Sequence, residues 1–162
     1  MRGKIHQRNM KNRVLNNQRD LLDIIQNCNV CYVSMVDKEN KPYVLPMNFG
    51  FADNTVLLHG AKQGKKIDIL KHNPNVCIVF STDHQLYWQN ENVACSWSMK
   101  YRSVLVYGKV NFIDDIEEKR SLLHHFMKNY SPKEFKYSKP SLKEVQLIKV
   151  PVDKMEGRAY GF

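Results

Sequence analysis

The sequence predicts a mainly β protein of α+β character, a small antiparallel barrel of about six strands with two or three helices at its periphery. Three observations carry this. Six runs of strand-like residues are separated by short polar turns, and the few helical periodicities do not alternate regularly with them, which disfavours a doubly wound parallel sheet. The chain has 162 residues, 43% of them hydrophobic and 25% charged, enough for one domain with its own core.

The elements follow in order. Residues 1–15 are basic and polar and are expected to form a flexible arm, leaving 16–162 as the single folded domain. The segment NQRDLLDIIQN, from Asn17, places Leu21, Leu22 and Ile25 at helical spacing. VCYVSMVD (30–37) alternates as a strand, Lys38 to Lys41 form a polar turn, and PYVLPMNFGF (42–51) returns as a second strand. Pro46 inside that run implies an edge or a bulge, because proline cannot donate to a ladder. Ala52-Asp53-Asn54 turns the chain into TVLLH (55–59).

A helix is expected from about Lys65 to Asn73-Pro74, which stops it. NVCIVFST (75–82) and the stretch 93–113 supply more strand. Asp114 with Glu117 reads as a capping box for a helix running to Tyr130, its buried stripe formed by Leu122, Leu123, Phe126, Met127 and Tyr130. SPKEFKYSKPSL, with Pro132 and Pro140, reads as irregular. VQLIKVPVDKMEG (145–157) closes the sheet.

Composition excludes several functions. No apolar run approaches a membrane span and no signal-peptide core is present, so the chain is expected to be cytoplasmic. Cys28, Cys31, Cys77 and Cys95 form no disulfide framework. Cys28-Asn29-Val30-Cys31 has C-x-x-C spacing without a second pair or finger-spaced histidines, so buried thiols are expected and no metal site. The net charge is +9, but residues 1–20 contain six Lys/Arg against one acidic residue, so a basic arm accounts for most of the excess. With no RNP-like, zinc-finger or helix-turn-helix pattern, nucleic acid is not an expected partner.

Three stretches could carry chemistry. In LLHGAKQGKKIDIL (57–70) a strand gives way to a helix, and Lys62, Lys65 and Lys66 cluster at the junction. Helix N-termini carry unpaired N–H groups and partial positive charge, so lysines are disfavoured there unless an anion is bound. Two readings fit: solvated lysines on an exposed turn, or a phosphate site. The segment is not a Walker A loop, since G-x-x-x-x-G-K-[ST] is absent. In ACSWSMKYRSVLVYGKV (94–110), Cys95, Trp97, Met99 and Tyr101 fall on one strand face and Ser96, Ser98, Lys100 and Arg102 on the other. That suits a planar ligand or a subunit contact, and equally an ordinary strand with one wet face. PYVLPMNFGF adds a proline-interrupted backbone and the amide of Asn48.

Taken in this order, NVCYVSMVDKENKPYVLPMNFGF, LLHGAKQGKKIDILKHNPNVC and ACSWSMKYRSVLVYGKV resemble the flavin split-barrel superfamily of pyridoxamine 5′-phosphate oxidase, and within it the nitroimidazole-resistance (Nim-type) branch. The resemblance covers residues 29–110, about half the chain, and ACSWSMKYRSV is its most specific part. It implies a six-stranded antiparallel split barrel, assembled as a homodimer with FMN at the subunit interface. It also implies that Lys65 and Lys66 hold the flavin phosphate, with His59, Gly60 and Ala61 lining the approach. Pro46, Met47, Asn48 and Phe49 would present their backbone to the isoalloxazine. Trp97, Ser98, Arg102 and Ser103 would contribute from the partner subunit. His59 is the candidate catalytic residue, as a proton donor or as a cofactor contact.

The implied function is an FMN-dependent oxidoreductase acting on a small, flat, electron-poor molecule such as a nitro compound. The alternative on the same fold is a non-catalytic flavin or haem carrier or sensor. The C-terminal pattern by which pyridoxamine phosphate oxidases recognise their substrate is not evident in KVPVDKMEGRAYGF, which argues against vitamin B6 oxidation. Arg158 lies in that tail and has no assigned role.

Overall fold

A computed structural model describes residues 12–162. The expected arm therefore falls mostly on residues 1–11, outside the described residues. Its last four residues instead form β1 (Asn12–Leu15), paired antiparallel with the C-terminal strand.

The remaining elements are α1 (Gln18–Gln26), β2 (Cys31–Val36), β3 (Pro42–Met47), β4 (Gly50–Ala52), β5 (Thr55–Ala61), α2 (Lys65–His72), β6 (Asn75–Trp88), β7 (Trp97–Lys109), β8 (Asn111–Ile113), α3 (Ile116–Lys128), α4 (Lys139–Glu144) and β9 (Val145–Tyr160). The main path of the sheet runs β3-β2-β6-β7-β9-β5-β4, with β1 and β8 also pairing β9. Every pairing is antiparallel. β2, β3, β5, β6, β7 and β9 are the six principal strands of a mainly β split barrel, and the other three are short. Among the described residues no helix is long and apolar enough to cross a membrane.

The split arises on β9. Its first half pairs β5 and β8 through Val145 to Pro151, and its second half pairs β7 and β1 through Val152 to Tyr160. A register shift at Tyr107/Gly108 marks the same corner on β7. Alternation puts Cys31, Val33 and Met35 of β2, Ile78 and Phe80 of β6, Val104 and Val106 of β7, and Ile148 and Val150 of β9 into one core. Ile24 and Ile25 of α1 are fully buried against it.

Two helix assignments differ from expectation, and one boundary agrees. The N-cap of α3 is Asp115, whose carboxylate accepts from the Glu118 N–H at 2.8 Å, so the cap lies one residue beyond the expected Asp114. The stretch expected to be irregular contains α4, capped by Ser138 and carrying Pro140 in its first turn, where a missing N–H costs nothing. α1 is capped by Asn17, which accepts from the Arg19 N–H at 2.9 Å.

At the corner, a Cβ on Gly108 would lie well inside contact distance of the Pro151 carbonyl oxygen and 2.8 Å from Val150 Cγ1. Backbone cannot move aside cheaply here, so Gly108→Ala should cost about 1–3 kcal/mol or more. Thermal unfolding should show a Tm lower by several degrees; an unchanged Tm would mean that the corner is not close-packed.

Candidate functional site

The site is built around the start of α2. Ile67, Ile69 and Leu70 bury one face of this short helix, and the Asn73 N–H closes its end on the Ile69 carbonyl at 2.8 Å. Its other end is bare. α1, α3 and α4 each have a side-chain cap, whereas Gly64, at φ +113°, offers α2 none. The Gly64 carbonyl accepts from Ile67 and Asp68, so the N–H groups of Lys65 and Lys66 have no partner within the helix.

The two lysines occupy different surroundings. Lys65 is exposed, its Nζ 4.5 Å from the Tyr43 ring centroid. Lys66 is half-buried between two strands: its Nζ lies 3.9 Å from Met47 Sδ on β3, and 2.5 Å from where a Gly60 Cβ would stand on β5. Burial pushes its pKa down. Among the described residues it has no carboxylate partner. An unpaired, partly desolvated ammonium at an uncapped helix N-terminus is an environment that favours a bound anion.

His59 stands on β5 beside this ammonium. It is half-buried, its ring packed edge-on to Phe126 at 4.7 Å and 71°. Burial first, and Lys66 second, lower its pKa below the usual 6.5. At neutral pH the imidazole is uncharged and able to donate one ring N–H. Gly60 and the exposed Ala61 finish the strand and lead into the lysine turn.

The run Pro46 to Phe49 divides between two tasks. β3 is an edge strand, as Pro46 required, and Pro46 points outward. Met47 is buried beside Lys66, while Asn48 is exposed. Phe49 departs from the expected role: its ring is fully buried, 4.8 Å from Phe80, and its N–H donates to Tyr130 Oη at 2.8 Å. Neither is available to a ligand. Tyr130 in turn donates to the Asn29 carbonyl at 3.0 Å, so one hydroxyl ties the end of α3 to the links preceding β2 and β4. In the sequence Tyr130 is merely the last member of a buried stripe. Its hydroxyl was the available signal, since a buried tyrosine usually needs a polar partner.

Trp97, Ser98, Arg102 and Ser103 are not brought to this cluster. They lie on β7, with β2 and β6 between it and β3, and β9 between it and β5. Arg102 already pairs with Asp23 at 2.8 Å and, more closely, with Asp83, tying α1 to the β6–β7 hairpin. Ser103 pairs in register with Ser81 and Arg158. Beyond Thr82 and Tyr101 the hairpin has neither β2 nor β9 beside it. This two-stranded ribbon exposes Leu86, Trp88, Trp97 and Met99, with Trp88 and Trp97 stacked at 4.4 Å. Ser98 and Lys100 take the opposite face, as the alternation required, and Lys100 Nζ sits 5.1 Å from the Tyr87 ring centroid.

Cys95 lies in a short 3₁₀ turn (Ala94–Ser96) and not on the strand, and it is exposed. Cys77 is only half-buried. Cys28 and Cys31 are buried as expected, their thiols donating to the Ile24 and Met47 carbonyls at 3.3 and 3.5 Å. Burial pushes the Cys31 pKa up to about 12, which makes it a poor nucleophile. His84, for which the sequence offered no partner, shares a 2.8 Å hydrogen bond with Ser81 Oγ across the β-bulge.

Comparison with known proteins bears on this geometry. The family model described as pyridoxamine 5′-phosphate oxidase matches residues 17–159. No functionally curated protein matches the chain by sequence. Among solved structures, a candidate 5-nitroimidazole antibiotic resistance protein from Bacteroides thetaiotaomicron is 43% identical, with a TM-score of 0.85 over 94% of this chain and 89% of that one. A flavocytochrome from Azotobacter vinelandii is 18% identical, with a TM-score of 0.78 over 90% of this chain and 68% of that one. An FAD- and haem-binding protein from Mycobacterium smegmatis is 15% identical, with a TM-score of 0.81 over 92% and 74% respectively. At these identities the last two show a shared fold.

His59 yields a pH prediction. Its folded pKa lies below 6.5, so between the two values the unfolded chain binds more protons and stability rises with pH. The contribution is present above 6.5 and lost as pH falls through the folded value. Urea unfolding of the apoprotein over about pH 5–7 should therefore show falling stability toward acid, with a shallower slope in His59→Asn. Identical slopes in the two proteins would count against a buried, uncharged His59.

Proposed function

The chain belongs to the pyridoxamine 5′-phosphate oxidase family, and from that premise we propose that it is a cytoplasmic, homodimeric FMN-dependent oxidoreductase acting on a small, flat, electron-poor substrate, a nitro compound in the first instance. The observation that carries this reading is Lys66, an ammonium partly out of water, without a carboxylate partner among the described residues, beside bare helix amides. A flavin phosphate answers all three conditions with charge and acceptor oxygens.

The residues present fit that group. Lys65 and Lys66 would hold the phosphate, with the first N–H groups of α2, and the missing Cβ of Gly60 keeps room beside Lys66 Nζ. Met47 and Asn48 would border the ring, while Tyr130 fixes the neighbouring backbone through the Phe49 N–H. FMN, when bound, supplies the redox chemistry itself. The protein orients, and it controls one proton-bearing group. His59 is uncharged at neutral pH, so it serves by donating a ring N–H. A phosphate dianion at Lys66 would offset the ammonium's field and make His59 easier to protonate.

The second subunit enters through the ribbon. Two-stranded hairpins are marginal alone, and exposed Leu86, Trp88, Trp97 and Met99 form an apolar patch that another copy would cover. Trp97, Ser98 and Ser103 of that copy would then reach the cofactor, while Arg102 would act through its ion pairs with Asp23 and Asp83. The 43% identical relative, named for 5-nitroimidazole resistance, supports a nitro compound as the first substrate to try. The second reading, a flavin or haem carrier without turnover, draws on the uncharged His59, which offers hydrogen bonding without strong acid chemistry.

The visible spectrum before and after adding FMN tests the reading. Bound flavin bands should shift, and Lys65→Ala/Lys66→Ala should weaken binding by roughly 100-fold or more, from two charge-assisted contacts of about 1.5–3 kcal/mol each. Absence of FMN binding at micromolar concentration would overturn the assignment. Oxidation of a reduced nicotinamide nucleotide with a nitro acceptor then separates the enzyme from the carrier.

A further inference from the structure

On the outer side of α3 lies a groove of about 720 Å³ that the flavin reading does not use. One wall is α3, where Arg120, His124 and Lys128 recur at i, i+4 and i+8 on one face. The other wall is the segment leading to α4, which contributes Phe135, Lys136 and Tyr137. Among the described residues three permanent cations thus face the groove, and Glu117 is the one carboxylate lining it. Among the described residues, Arg120 pairs with that carboxylate, and Lys128 and Lys136 pair with none.

Lys128 alone would need no special explanation, because a cation in the last turn suits the helix dipole. The dipole does not account for Arg120 in mid-helix, nor for Lys136 on the opposite wall. Those walls are also fixed. Arg120 Nη1 donates to the Tyr137 carbonyl at 3.0 Å, and Tyr137 Oη donates back to the Leu123 carbonyl at 3.1 Å. Ser138 then caps α4. The groove is held open by hydrogen bonds from both sides, which is the pre-formed state that small-molecule sites share.

We infer that this groove is a second ligand site, for a nucleoside di- or triphosphate. Lys128, Lys136 and the free edge of the Arg120 guanidinium meet the phosphates, and the half-buried Phe135 offers its ring to the base. Arg120, already anchored to the wall, acts as a fixed donor. The volume accommodates a mononucleotide with ease, and cations on both walls with an aromatic on one of them match phosphate plus planar base better than they match a simple anion.

The test titrates ADP, and separately inorganic pyrophosphate, into the ¹⁵N-labelled, FMN-supplemented full chain. Amide shifts should centre on residues 120–128 and 135–137. Lys128→Gln/Lys136→Gln, both exposed positions, should weaken both ligands at least tenfold. Phe135→Ala should weaken ADP by roughly tenfold, as expected for lost base stacking, while leaving pyrophosphate within about twofold. The same ADP shifts should survive in Lys65→Ala/Lys66→Ala, which separates this groove from the start of α2. Shifts centred on α2, equal loss of ADP and pyrophosphate in Phe135→Ala, or unchanged binding in Lys128→Gln/Lys136→Gln would each overturn the inference.

Discussion

The fold depends on one long strand serving two sheets. β9 must satisfy β5 and β8 with residues 145–151, then β7 and β1 with 152–160. Proline cannot donate to a ladder, and Pro151 stands at the changeover. The next residue turns elsewhere for its bond, the Val152 N–H reaching the Asn54 carbonyl at 3.0 Å. Gly108 completes the corner by letting the Pro151 carbonyl approach. A strand that changes sheets leaves the barrel unclosed, with β3 and β4 as its two ends.

Position and chemistry of the site follow from that opening. The short link Asn48–Phe49 carries the chain from one end of the sheet path to the other, and the start of α2 packs between β3 and β5. β5 is firm there because β9 pairs it residue for residue, His59 opposite Leu147 and Gly60 opposite Gln146. Behind β9, the buried Gln146 amide donates to the Ile113 and Leu147 carbonyls, both at 3.1 Å. The buried Lys119 ammonium donates to the Val145 carbonyl at 2.9 Å and the Leu142 carbonyl at 3.4 Å. A fixed backing is what lets a half-buried lysine keep one position instead of swinging into water.

Much of this was legible in the sequence, and the gaps have physical causes. Strand alternation located β2, β3, β5 and β9, because one buried face imposes period two. It failed past Ser81, where the bulge near Asp83 (φ 57°) breaks the alternation, so the length of the ribbon stayed hidden. α4 was missed because Pro140 reads as a breaker unless its place in the first turn is known. In the site, helix-terminus chemistry alone left solvated lysines and a phosphate site both standing. Pairings such as Tyr130 with Phe49, Lys119 with Val145 and Arg102 with Asp23 link residues far apart in sequence, and no local pattern encodes them.

Lys65 and Lys66 show why local pattern reaches a limit. They are the same residue type, adjacent, at the same helix end, and the macrodipole disfavours both by a few tenths of a kcal/mol to about 1 kcal/mol. Lys65 spreads its charge into water and over the Tyr43 ring, and needs nothing more. Lys66 points the other way, between Met47 and Gly60, where burial lowers its pKa and also lowers that of His59. A fold under selection for stability alone has no reason to hold an ammonium there, and that unfavourable placement is what the proposed phosphate would offset.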